Sequence, residues 1–139
     1  MSLTRKETTI RSAFVLMGVL TATPILALFN PAQLASYGVV DPGAVELSLL
    51  QHRGLLQFAL GLSLVYAAFR PDVRVPVALA AIVTKGGFLL LTLMRPEVLA
   101  KANMVAMVFD PLCIVVLTAV LMDIAARKRS RGGIHRARA

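Results

Sequence analysis

Apolar residues in this chain gather into four long blocks, at 13–29, 49–69, 75–94 and 104–124, with polar breaks between them. Blocks of about twenty residues, rising about 1.5 Å each, match the roughly 30 Å hydrocarbon core of a bilayer. The pattern predicts an all-α fold: an integral membrane bundle of four antiparallel transmembrane helices. The third block, VPVALAAIVTKGGFLLLTLM, holds a single charge, Lys85, close to its middle. A lone charge at the bilayer centre costs on the order of 3 kcal/mol on insertion scales. The neighbouring helices are therefore expected to give Lys85 a partner.

The breaks carry their own signals. Pro24 falls inside the first block and predicts a kink, tolerated where neighbouring helices satisfy the freed carbonyl. Asn30-Pro31 predicts the end of that helix. In the long connection 30–51, PAQLASYGV predicts a short interfacial helix with Leu34 and Tyr37 turned toward lipid headgroups. Asp41-Pro42-Gly43 is a turn signal. The second helix is expected to start as early as Gly43. Glu46, Leu50, Arg53, Gln57 and Gly61 then share one stripe, because they recur at spacings of three or four. RPDVR at 70–74 is a tight connection, which forces the helices on either side to run antiparallel. Pro76 is placed in a first helical turn, where proline costs little. Gly86-Gly87 predicts close backbone approach by a neighbour. Asn103 is the expected N-cap of the fourth helix.

Composition agrees with the pattern. Of 139 residues, 58% are hydrophobic and the mean hydropathy is +0.77, too apolar for a soluble domain of this length. One domain is expected. A basic segment ahead of the first apolar block has the layout of a signal peptide, but no clean A-x-A site closes the block and three further spans follow. The single cysteine, Cys113, excludes an intrachain disulfide.

The net charge of +8 suggests nucleic acid until its distribution is read. With the N-terminal segment 1–12 inside, the inner side holds eleven Lys and Arg and the outer side three: Arg53, Arg95 and Lys101. That bias places both termini in the cytoplasm. The basic tail 125–139 lacks aromatic residues for stacking and has no recognisable nucleic-acid fold, so no nucleic-acid partner is expected. It is polar and glycine-containing, which predicts disorder. Its charges predict retention on the cytoplasmic side and attraction to anionic lipid.

Five residues form the candidate polar site: His52, Arg53, Gln57, Lys85 and Asp110. Lys85 and Asp110 differ in predicted depth by about one helical turn, within reach of a lysine side chain. They are expected to pair inside the bundle, with Arg53, Gln57 and His52 entering from the outer end. Intramembrane ionisable groups default to a binding site or proton relay. The alternative is an ion pair that only fixes helix register, with Arg53 snorkelling to headgroups and His52 at the interface. Catalytic and metal residues are not found. Two histidines on opposite sides of the membrane exclude bis-histidine haem, and metal clusters, paired cysteines and phosphate loops are lacking. No cofactor is expected.

LLQHRGLLQFALGL, AAFRPDVR, the glycine-bearing third block and FDP in the fourth together resemble small bacterial four-helix membrane proteins of the DoxX-like and BphX-like type. The resemblance covers roughly residues 13–124. It implies an up-and-down bundle in a bacterial inner membrane and points to His52, Arg53, Arg70, Pro71 and Asp110. Lys85 departs from it. The reading that follows is a small membrane protein, non-enzymatic rather than an enzyme, acting as an accessory or structural subunit. Its partners would be the lipid bilayer and a second copy or a membrane subunit. Two alternatives stand beside it: a small proton-coupled transporter using Lys85 and Asp110, and, by the resemblance alone, a quinone-linked redox subunit.

Overall fold

The computed structural model describes residues 4–100, 102 and 104–136, with Ser36 and 128–136 as backbone only. Every regular element among them is helical. The four long helices are α1 (Arg5–Ala22), α2 (Ala44–Phe69), α3 (Arg74–Leu93) and α5 (Met104–Arg136), with one short turn, α4 (Pro96–Leu99), between the last two. Three segments are long and apolar enough to cross a membrane: Arg5–Leu28, Pro71–Leu93 and Met104–Arg127. α2 falls short of that standard because its N-terminal half carries Glu46, Gln51, His52, Arg53 and Gln57.

The four long helices pack in chain order, α1 on α2, α2 on α3, α3 on α5, with α5 returning to α1. The sense is antiparallel along the first seam. Gly18 faces Gly61 and Val65, Pro24 faces Gly54, and the Gln51 amide reaches the Ala27 carbonyl, so one helix ascends as the other descends. Glycine is required on this seam. A Cβ on Gly18 would lie 2.6 Å from the Gly61 carbonyl oxygen, one on Gly61 2.5 Å from that of Gly18, and one on Gly54 2.7 Å from that of Pro24. The close approach expected at Gly86-Gly87 is found here instead. A Cβ on Gly87 would meet nothing within 4 Å.

The core gathers Phe14 and Met17 of α1, Leu64, Ala67 and Ala68 of α2, Ala78 and Ala81 of α3, and Cys113, Leu117 and Val120 of α5. It fills the half of the bundle nearest the chain ends. The outward faces stay apolar, α2 included, where Leu49, Leu55, Leu56, Leu62 and Phe69 are exposed.

Several boundaries differ from the sequence reading. Pro24 does more than kink: α1 stops at Ala22 and the chain tightens into a 3-10 turn over Thr23–Leu28, because proline lacks the N–H that the α-helix needs. The interfacial segment Pro31–Tyr37 is a second 3-10 turn, ended by Gly38 in the left-handed region at φ 78°. Its Leu34, expected to face lipid headgroups, is instead buried at 4% exposure, turned into the bundle. The helix expected to end near 124 runs on through Arg136, so the backbone of 125–136 is helical, not disordered. Continuation of α5 along a lysine- and arginine-rich sequence keeps each carbonyl hydrogen-bonded, and those residues are good helix formers. The N-cap expected at Asn103 lies outside the described residues.

Candidate functional site

Lys85 lies eight residues before the end of α3 and Asp110 six residues after the start of α5. At about 1.5 Å per residue those depths differ by only about 3 Å, and the helices touch. The ammonium of Lys85 donates to Asp110 Oδ1 at 2.6 Å and rests 4.8 Å from the centroid of the Phe109 ring. The two residues are 3% and 8% exposed. Burial strengthens their attraction and makes either one alone costly, so the pair holds α3 and α5 in one register.

Above this pair the bundle opens into a cavity of about 670 Å³. Its depth is read from the seams. Gln57 lies one turn deeper than Arg53, and the pairing of Gly18 with Gly61 and Pro24 with Gly54 brings Thr21 to the level of Gln57. The floor and lower wall are therefore Thr21, Gln57, Lys85, Phe109 and Asp110, with Arg53 and Phe88 one turn above. The guanidinium of Arg53 lies 4.6 Å from the Phe88 ring centroid, a cation–π contact. Among the described residues Arg53 enters no ion pair. The Thr21 side chain is buried, and its hydroxyl finds no hydrogen-bond partner among them. The upper wall is apolar. Leu34 and Val39 come from the 30–43 connection, Leu50 from α2, and Val98 and Val105 from the α4 side. Glu46 and Glu97 stand at the rim.

Four of the five candidate residues thus border one cavity: Arg53, Gln57, Lys85 and Asp110. His52 does not. It lies one residue round α2 from Arg53, exposed as Arg53 is, but off the lining. The stripe Glu46, Leu50, Arg53, Gln57 is the wall of α2 that faces the cavity, and Gly61 continues it into the α1 seam. Among the described residues no three His, Cys, Asp or Glu side chains converge as metal ligands would.

A second polar cluster sits at the opposite end. Arg74, the first residue of α3, is 5% exposed. It donates to the carbonyl oxygens of Ala67 and Ala68 at 3.0 and 2.8 Å and makes two bonds to Glu7 of α1 at 3.1 and 2.6 Å. Arg11 donates to the same carboxylate at 2.9 Å. Glu7 lies ahead of the apolar block of α1. The sequence reading placed Arg74 in a loop. The missed signal was its position: a cation opening a helix opposes the helix dipole and must find another partner. Here it turns to the negative end of α2. A further ion pair, Lys6 with Asp123, ties α1 to α5 at the same end.

No family model, curated protein or solved structure matches the chain.

Proposed function

We propose that the chain is a small integral membrane protein that crosses the bilayer four times, with both termini cytoplasmic, and binds a ligand in the cavity of its outer half. It works as a non-enzymatic binding or accessory subunit. The carrying observation is the cavity of about 670 Å³, within the range of small-molecule sites, whose apolar walls surround a few convergent polar groups. α2 serves as the fourth span on this reading. Its 26 residues extend about 39 Å, more than the hydrocarbon core requires. Its polar stripe turns into the cavity and leaves an apolar face for lipid.

Cysteine accessibility tests this. In a Cys113→Ala background, a small membrane-impermeant thiol reagent added to intact cells should modify Leu50→Cys and Val105→Cys on the cavity wall. Val116→Cys, packed against the core in the inner half, should be protected. Equal protection of all three positions would close the cavity to the outside and remove the binding reading.

The transporter alternative draws on the same cavity, since it reaches Lys85. It requires that a site at that depth also open inward. Purified protein in liposomes should then collapse a pH gradient in a Lys85-dependent manner.

A further inference from the structure

We infer that the ligand of this cavity is a compact amphiphile with a single carboxylate, which enters head first and places the carboxylate between Arg53, Gln57 and Lys85. This rests on the ligand-binding reading above.

Charge balance points to the head. Lys85 and Asp110 cancel each other at 2.6 Å. Arg53 remains one turn above, lining the cavity without an ionic partner among the described residues. The lower cavity therefore carries one net positive charge, on a guanidinium that stays exposed along the cavity wall and can be reached by an anion. A monoanion makes the set neutral. A dianion would overshoot, and a cation would double the excess. Planarity points the same way: the guanidinium, 4.6 Å from the Phe88 ring centroid, carries the planar fork that fits a carboxylate bidentately.

Spare donors point to the same depth. An ammonium has three N–H groups, and one goes to Asp110. Gln57 lines the same space and brings an amide with two N–H donors. Such a floor is rich in donors and suits an acceptor-only group.

The order of the walls fixes the orientation. In a bilayer, apolar surroundings lie deep and polar ones lie outward. This cavity reverses that order, with ionised groups at its floor and Leu34, Val39, Leu50, Val98 and Val105 above them. A ligand that matches it has its polar end innermost and its apolar body under the 30–43 connection. Glu46 and Glu97 at the rim are exposed and water-screened, and Glu46 lies about two turns from Arg53. They discourage a head that stops at the mouth.

The test is equilibrium binding to the full chain in lipid nanodiscs, with protein-free nanodiscs subtracted. The probes are radiolabelled decanoate, decanol, decyltrimethylammonium and butyrate. Decanoate should saturate at one per chain and bind at least tenfold tighter than decanol or the cation. Arg53→Gln should lose that preference while leaving the melting temperature unchanged, and Arg53→Lys should recover part of it. Butyrate, the same head drawn from water with almost no body, should bind at least tenfold more weakly than decanoate. Equal binding of decanoate and decanol would overturn the carboxylate assignment but keep a ligand site. Tighter binding of the cation would reverse its sign. Equal binding of butyrate would remove the apolar body. Should none of the four saturate while Leu50→Cys is still labelled from outside, the carboxylate inference falls alone. Should Leu50→Cys also be protected, the cavity reading falls with it.

Discussion

Adding one methyl group to the α1/α2 seam should separate the two helices. Gly18→Ala puts a Cβ 2.6 Å from the Gly61 carbonyl oxygen and 3.0 Å from the Val65 backbone nitrogen. Ordinary contact begins near 3.4 Å. The obstacle is backbone, so no rotamer change relieves it, and α1 must withdraw by about 0.8 Å, the difference between 3.4 and 2.6 Å. A radial gap of roughly 0.5–1 Å forfeits a quarter to a half of the dispersion well for every pair along the seam. Overpacking of this kind typically costs about 1–3 kcal/mol, and rigid backbone on both sides puts it near the upper end. Alanine recovers about 0.5–1 kcal/mol of helix propensity, so the net loss should be about 2 kcal/mol. Gly87→Ala is the internal control. Its Cβ meets nothing within 4 Å, so only the propensity gain remains and stability should rise slightly or hold. Thermal unfolding in one detergent, followed by circular dichroism, compares the two. The double variant Gly18→Ala/Gly61→Ala should cost less than the sum of its parts, because the first methyl already opens the gap the second needs. If Gly18→Ala unfolds at the same temperature as Gly87→Ala, the seam is not closely packed and the argument fails.

Three further outcomes follow from the ion pairs and the topology. Lys85→Met and Asp110→Asn should each destabilise the bundle by a few kcal/mol, and the double variant by less than their sum, since no orphan charge remains; additive losses in a thermal cycle would separate the two side chains. In thermal unfolding at neutral pH, Glu7→Gln should cost less than the roughly 3–5 kcal/mol of a fully buried pair, because Glu7 is only part-buried and Arg74 keeps its two carbonyl bonds. Single cysteines at Thr9 and Arg127 should resist an impermeant reagent in intact cells while one at Val40 reacts, and the reverse pattern would reject cytoplasmic termini.

The helices were legible because block length and polar breaks are local properties. So was the Lys85–Asp110 contact, since two opposite charges at matching depth in apolar helices have few other partners. What local pattern could not carry was the identity of neighbours. The glycines at 86–87 and those at 18, 54 and 61 look alike in sequence; only the packing distinguishes the pair that meets nothing from the three that meet backbone. Arg74 read as one more loop cation, because its partners lie on two other helices. Leu34 read as lipid-facing because an isolated amphipathic turn has two apolar environments to choose from, and the cavity roof was not visible from the chain. His52 and Arg53 are adjacent and both polar, yet one step of about 100° round α2 takes one out of the cavity and leaves the other on its wall.

The Lys85–Asp110 contact also sets an order of events during synthesis. Lys85 leaves the ribosome 25 residues before Asp110, the carboxylate it pairs with. Arg74, by contrast, has both carbonyls and its carboxylate available from chain already made. On the four-span reading proposed above, the first two helices could settle in lipid as soon as they emerge, with the base of the third pinned to them. The upper part of the third waits with an unmatched ammonium until the last helix arrives. On that proposed topology, the final helix is what commits its predecessor to the bilayer, and a nascent chain stopped before residue 104 would leave that predecessor free to slip back toward water.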